Sequence, residues 1–347
     1  MFPLAEIRTL TTSQLRQTSS GERFKVLGVI QQIKSRSDKN NRPFWELSLV
    51  DSEGSVEAKV WSDGKWWDTR SGEKIPLEPD VSSIAAVVLN APVGAIGTAS
   101  EFRGKQQFQF LEVFLLDPER FPISSFIQSS PVPIERMEGD FRAMILSCGP
   151  EVRTFLEKVF SGNIWKSFRE LPAAVSHHHA YVHGLLEHTL SVTMAARALA
   201  EAYKRSGVDI DLDVVTAGGL LHDIGKIESY KLDPFPSMTV PGTVIDHIAL
   251  GYSRFSSLAE EHGLNADLAT AIGHIIISHH GRKEYGSPVL PATPEAMVVS
   301  SADELDFIMF CWGTFPESGN GEPSISDFHT SAQRRFWRSK FAEEDGS

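Results

Sequence analysis

Apolar residues along this chain keep two periods. From Phe24 to Leu115 they recur at every second position in short runs, and from Glu138 to Phe307 at every third or fourth. The first period is that of half-buried strands, the second that of amphipathic helices. Phe24, Val26, Gly28 and Ile30 alternate with other residues in a run that extends through Ile33. Phe44 to Val50 predicts a second strand, and Val56, Ala58 and Val60 a third. Ile84 to Leu89 and Phe108 to Leu115 predict two more, with turn clusters at Ser37–Asn41, Asp51–Gly54 and Arg103–Lys105. A looser segment with Trp66, Trp67 and Pro79 follows the third strand. Five strands with an irregular insertion after the third predict a small closed Greek-key barrel. Residues 1–20, rich in Ser, Thr and Gln, read as an arm with little structure of its own.

Pro118, Pro122, Pro131 and Pro133 then fall among serines, the composition of a semi-rigid linker. Beyond it the pattern is helical. Phe141, Met144 and Ile145, then Phe155, Leu156, Val159 and Phe160, lead to a break at Pro172. Leu185, Val192, Ala196, Leu199 and Tyr203 form a stripe that stops before Gly207. Val214 to Leu221 runs from a cap at Asp211 or Asp213 toward Gly225. A third pattern carries Ile248, Tyr252, Phe255 and Leu258 and ends at Gly263; a fourth runs from Asn265 through Leu268, Ile272 and Ile275 to Gly281. A fifth holds Met297 to Val299, Asp303 and Phe307. The chain thus divides into an arm (1–20), an all-β barrel (21–117), a linker (118–135), an all-α domain (136–312) and a C-terminal loop and tail (313–347), in which Arg334 to Arg338 reads as a surface or packing element.

A chain of 347 residues has room for two domains, and 41% hydrophobic residues is enough for sizeable cores. No apolar run has membrane-spanning length, and Glu6 and Arg8 interrupt the short apolar start, so neither a membrane partner nor a signal peptide is expected. Cys148 and Cys311 offer no disulfide framework, which suits a reducing cytoplasm. The net charge of −12 argues at first against a nucleic-acid partner, but it is unevenly placed. Residues 1–116 carry 14 basic and 14 acidic side chains, and residues 117–347 carry 19 against 31.

The acidic half also holds all twelve histidines, eleven of them between His177 and His280. The order is His188, then the adjacent His222 and Asp223, then His247, then His279 and His280, then Asp303, each group on its own predicted helix. A lone histidine on an apolar face is more often a hydrogen-bonded core residue than a ligand. Burying this whole set without a cation would leave several polar groups to satisfy, so the pattern points to divalent-metal binding. His262, His274 and His329 fall outside the order and read as non-ligands.

This order, with Gly184-Leu185-Leu186-Glu187-His188-Thr189 and His222-Asp223-Ile224-Gly225-Lys226, resembles the HD-domain phosphohydrolases in their two-metal form over residues 175–310. The barrel looks like an OB-fold, and the whole chain is similar to the YhaM-type 3′→5′ exoribonucleases. One departure is that His183-Gly184 stands where that family tends to have Gly-Gly. The resemblance implies two divalent transition-metal ions (manganese foremost, or cobalt, iron, nickel or zinc). It assigns His188, His222, Asp223 and Asp303 to one, and Asp223, His247, His279 and His280 to the other. Asp223 and Lys226 become the candidate catalytic residues, Lys226 being otherwise a helix-terminus cation. His178, His179 and His183 are expected to line the substrate pocket.

OB-folds that bind single strands stack bases on the hairpin of the second and third strands. Here that places Phe44, Lys59 and Trp61 against the strand, with Lys34, Arg36 and Arg42 on phosphates, while alternation from Leu47 and Leu49 turns Trp45 to the core. The implied function is a metal-dependent 3′→5′ exoribonuclease acting on single-stranded RNA, with single-stranded DNA as a second substrate, in a homo-oligomer. A phosphodiesterase or nucleotidase for a small nucleotide is the alternative enzyme. A nucleic-acid-binding protein with a structural metal site is the alternative outside catalysis.

Overall fold

The computed structural model describes residues 8–78, 81–102, 104–175, 179–315 and 323–339. In chain order the first part gives β1 (Thr9–Leu10), α1 (Thr12–Leu15), β2 (Arg23–Ser37), β3 (Pro43–Asp51), β4 (Gly54–Trp61), β5 (Lys65–Asp68), β6 (Ile75–Leu77), α2 (Val81–Val88), β7 (Pro92–Phe102) and β8 (Lys105–Leu115). β2, β3 and β4 form an antiparallel meander; β4 then pairs parallel with β8, β8 antiparallel with β7, and β7 antiparallel with β2. The ring closes on itself, so none of its five strands presents a bare edge along its whole length. This strand order, with a parallel contact between its third and fifth members, is that of the OB-fold. Phe24, Val26, Trp45, Leu47, Leu49, Val60 and Phe110 fill the interior.

Three expectations for this unit are corrected. Residues 84–89 are not a strand: α2 covers Val81–Val88 and turns Ile84 and Val88, four residues apart, into the barrel core. A short apolar run fits a strand and a buried helix equally well, and the spacing of the two buried residues decides for the helix. The missing strand is β7, whose glycines at 94 and 97 interrupt the apolar alternation. The arm is also structured in its described residues, from Arg8 on. Thr11 caps α1 in a capping box, and Thr12 donates through its amide (2.7 Å) and hydroxyl (2.6 Å) to the Asp51 carboxylate. Leu15 is 0% exposed. Thr12 is spent on Asp51, Thr11 donates to Glu53 and Arg16 to the Ser55 carbonyl, so composition alone hid the element. Third, the linker segment carries a 3₁₀ turn at Ile123–Phe126, and Phe126 packs against Val29.

The second part gives α3 (Ile134–Leu146), α4 (Pro150–Val159), α5 (Gly162–Glu170), α6 (Gly184–Arg205), α7 (Leu212–Leu221), α8 (Lys226–Ser229), β9 (Tyr230–Leu232), β10 (Pro236–Met238), α9 (Val240–Val244), α10 (His247–His262), α11 (Ala266–Ser278) and α12 (Pro294–Gly313). The chain divides into two units between Ser129 and Ser130, with Asp233–Phe235 grouping with the first. The core of the helical unit runs from Met137 and Phe141 through Leu185, Val192 and Leu221 to Ile275 and Val299. α6 packs on α7 and α12, and α11 on α7. At the C-terminal end β11 (Ser324–Ile325) pairs with β12 (Trp337–Arg338), and Ala332 and Phe336 pack on Cys311. Part of the segment expected as loop and tail is therefore folded onto the last helix. No helix among the described residues is long and apolar enough to cross a membrane.

Candidate metal centre

α7 is buried from Val214 to Leu221 and is started by Asp211, whose carboxylate accepts the amides of Asp213 and Val214. It ends at His222, and the chain turns through Asp223 into α8. The turn is tight because Gly225 lies against α10: a Cβ there would collide with the His247 carbonyl oxygen and the Gly251 backbone. That contact brings the start of α10, with His247, beside Asp223. His188 comes from α6, His279 and His280 from the end of α11, and Asp303 from α12. All seven predicted donors converge.

Asp223 lies at the centre, 1% exposed. Its Oδ2 is 3.3 Å from His188 Nε2 and 3.3 Å from His222 Nε2, with Asp303 Oδ1 a further 3.2 Å from His188 Nε2. Its Oδ1 faces the other way, 3.5 Å from His247 Nε2 and 3.7 Å from His279 Nε2. His247, His279 and His280 offer a second convergent set of ring nitrogens. Each carboxylate oxygen thus serves one histidine group.

The rings are oriented from behind. His222 Nδ1 donates to the Gly219 carbonyl (2.7 Å), His279 Nδ1 to Ile276 (2.8 Å) and His280 Nδ1 to Tyr285 (2.7 Å). His188 Nδ1 is 2.7 Å from Asp306 Oδ2, and His247 Nδ1 is 3.0 Å from Asp246 Oδ1. A ring whose Nδ1 is held from behind turns its Nε2 inward, the arrangement by which an outer group orients a metal-ligating imidazole. Asp223 Oδ1, His247 Nε2 and His279 Nε2 are buried without a hydrogen-bond partner. Buried polar atoms left unpaired are costly, and a cation satisfies all three at once. The residues present therefore fit a metal ion.

Electrostatics agrees. Burial raises the Asp223 carboxyl, but the Lys226 charge and the neighbouring imidazoles hold it well below the usual carboxylate range. Burial likewise opposes ionisation of Asp303 and Asp306, and their hydrogen bonds to His188 and, for Asp306, His179 bring both down. His188 is pulled well above its ordinary value despite burial, because Asp223, Asp303 and Asp306 surround it. Burial and neighbouring histidines lower His279 well below its usual value, and burial lowers His280. A neutral imidazole is the form that binds metal.

Asp246 and Asp306 were missed by sequence reasoning. Asp306 stands one helical turn after Asp303, and Asp246 immediately before His247; those spacings were the available signal. Lys226, 6% exposed, ion-pairs with Asp223 Oδ2 at 2.6 Å instead of capping a helix end. Of the three expected pocket histidines, His178 lies outside the described residues. His179 is behind the centre and not in front of it: Nε2 is 3.2 Å from Asp306 Oδ2, and Nδ1 is 2.7 Å from the Tyr181 hydroxyl, which donates to Glu187 at 2.9 Å. His183 is corrected too. It adopts φ 68° at the start of α6, and its Nδ1 is held 2.5 Å from the Arg169 carbonyl oxygen. A left-handed conformation is one that glycine takes without strain and a histidine rarely adopts. Among the described residues His262, His274 and His329 join no donor group; His274 Nε2 accepts the Ala292 amide at 2.9 Å.

The barrel gathers the other predicted set. The register pairs Arg36 with Phe44 and Phe44 with Trp61, and Lys34 with Glu46 and Glu46 with Lys59. Side chains alternate across a strand, so Lys34, Arg36, Phe44, Lys59 and Trp61 share the outer face of β2, β3 and β4. The Phe44 and Trp61 rings are 4.8 Å apart, with Lys59 Nζ 5.5 Å from the Phe44 ring. Arg42 lies in the turn before β3. Trp45 is 3% exposed in the barrel interior, as its alternation predicts. Glu46 tempers the positive face through an ion pair with Arg36 at 3.2 Å.

Residues 185–308 match the HD domain family, a span that contains all seven donors and both orienting aspartates. The 3'-5' exoribonuclease YhaM of Bacillus subtilis (strain 168) is 29% identical over 272 residues, covering 77% of this chain and 79% of that protein. The protein of the same name from Oceanobacillus iheyensis is 25% identical over 328 residues, 94% of this chain and 97% of its own length. Among solved structures, the mitochondrial single-stranded DNA binding protein Rim1 of S. cerevisiae matches 28% of this chain at 13% identity with a TM-score of 0.22, a likeness too slight to bear on function.

Proposed function

We propose that this HD-domain chain, a homologue of the YhaM-type exoribonucleases over most of its length, is a metal-dependent 3′→5′ exoribonuclease acting on single-stranded RNA. The observation that carries the reading is the division of Asp223, one carboxylate oxygen toward His188 and His222 and the other toward His247 and His279. We assign His188, His222, Asp223 and Asp303 to one ion, and Asp223, His247, His279 and His280 to a second. Mostly imidazole donors with two carboxylates suit manganese, iron, cobalt, nickel or zinc better than magnesium or calcium, and manganese is the first to test. Two such ions supply Lewis-acid activation of water and neutralise charge on the phosphate during in-line displacement.

The chain's own residues do the rest. Asp306 and Asp246 fix the rings of His188 and His247. Lys226, held by Asp223, adds a fixed positive charge in a buried site where the phosphate gains charge. Phe44 and Trp61 stack bases while Lys34, Arg36, Arg42 and Lys59 meet phosphates on the barrel face. The free, buried thiols of Cys148 and Cys311 fit a reducing cytoplasm.

The test is end dependence. Purified protein with Mn²⁺ should shorten 5′-labelled linear RNA stepwise, and a bulky block on the 3′ hydroxyl should stop it while a 5′ block should not. Cleavage of a circular single strand would reject the exonuclease. Hydrolysis confined to free nucleotides would favour the small-nucleotide phosphodiesterase.

A further inference from the structure

Beside the metal centre lies a cavity of about 330 Å³, within the range of small-molecule sites. His280 belongs to both: its ring is part of the second donor group, and the residue lines the cavity wall. The rest of the wall is mixed. Leu290 and Met297 are 55% and 52% exposed, apolar side chains that no core covers. Ser300 and Glu304 lie four residues apart on α12, so they share a face, and Glu304 follows the candidate ligand Asp303 directly. Space beside the Ser300 hydroxyl depends on Gly281, where a Cβ would come 2.5 Å from Ser300 Oγ. The neighbouring Ser301 hydroxyl is already spent on the Met297 carbonyl (2.8 Å).

We propose that this cavity is the subsite for the terminal nucleoside of the strand, with Leu290 and Met297 against the base and Ser300 and Glu304 on the ribose hydroxyls. The inference rests on the exoribonuclease reading and deepens it, since it assigns the choice of RNA over DNA to this wall. Arg282 also stands on the wall, but the Glu304 carboxylate repels a phosphate on the Ser300 side. A vicinal diol is a good occupant there, because a carboxylate accepts from both hydroxyls, as acidic residues do with ribose in dinucleotide sites. A 3′-terminal ribonucleotide is the one residue of an RNA strand that offers both a 2′ and a 3′ hydroxyl. With its 5′ phosphate at the metal centre, its sugar and base fall beside His280. A terminal deoxynucleotide lacks the 2′ hydroxyl that distinguishes RNA, and leaves Glu304 with one donor fewer.

Two RNA oligomers that differ only by a 2′-deoxy sugar at the 3′ end test this. The full-length wild type should remove the all-ribose terminus about tenfold faster in kcat/KM, the scale of one hydrogen bond to a charged group. Glu304→Ala should bring the two substrates within about twofold of each other by slowing the ribose terminus. Equal rates for the two substrates in the wild type, or undiminished discrimination in Glu304→Ala, overturn the proposal. A second readout needs no hydrolysis: calorimetry of Mn²⁺-loaded protein with adenosine 5′-monophosphate and its 2′-deoxy analogue. Tighter ribonucleotide binding that is lost in Glu304→Ala supports the subsite, and equal binding by the wild type rejects it. RNA degradation by the wild type is scored separately, so a failed subsite and a failed exoribonuclease are told apart.

Discussion

Asp223 and Lys226 form a buried pair, and each is the other's remedy for being charged away from water. Removing one leaves the other unpaired, at a cost of about 3–5 kcal/mol for a pair of this kind. Asp223→Ala should therefore abolish hydrolysis and metal uptake and also lower the melting temperature. Adding Lys226→Met should restore much of the melting temperature and none of the activity; recovery of activity in the double variant would remove Asp223 from the centre. Asp306→Asn should weaken Mn²⁺ binding about 10–100-fold in calorimetry while the metal-free melt moves little, because it changes the group that orients His188 and not a donor. The two histidine groups should also differ in their response to pH. His188 is raised by three carboxylates, so a cation at its Nε2 displaces a proton, and affinity there should tighten as pH rises toward that raised value. His279 and His280 are lowered and already neutral near pH 7, so binding to them releases no proton of theirs. Proton counts from calorimetry in buffers of different ionisation enthalpy check this, with about one proton expected from the His188 group. No proton release at all would rule out a charged His188.

At the scale of elements, the contact between the α7–α8 turn and the start of α10 sets the distance from Asp223 to His247. Gly225→Ala should wedge that contact apart, costing about 1–3 kcal/mol of stability by overpacking and weakening Mn²⁺ binding in parallel. A melt and a titration on the same sample read both; an unchanged melt would show that the turn is looser than the packing implies. The same element contacts explain a part of the site that residue types do not reveal. His179 was expected in front of the metal donors because it precedes His188 closely in sequence. The chain enters α6 through left-handed His179 and His183, and this reversal turns His179 onto Asp306, behind His188.

At the scale of the whole chain, the candidate metal donors and the candidate base-stacking residues fall in separate units. Phe44→Ala with Trp61→Ala should therefore raise KM on long RNA and reduce its salt dependence only slightly, while leaving a dinucleotide almost unaffected. Each lost stacked base is worth about 1–3 kcal/mol. Phe44 is 8% exposed because Trp61 covers it, so a thermal melt must accompany the kinetics. A rise in KM for the dinucleotide equal to that for long RNA would place the defect elsewhere.

The convergent set was legible in the chain because its residue types recur in order on successive helices: His188, His222, Asp223, His247, His279, His280 and Asp303 were named without coordinates, and the fold brings them together. The barrel was legible for four of its strands, where apolar residues alternate. Glycine-rich β7 was not, since an apolar face made partly of backbone leaves no alternation to read, and Ile84 with Val88 imitated it. Tertiary structure alone decided what stands behind each ligand. Asp306 reaches His188 across 118 positions of sequence, and Thr12 reaches Asp51 across 39. Such partners are chosen by packing, which brings together polar groups that burial leaves no other way to satisfy, and no local pattern of residues announces them.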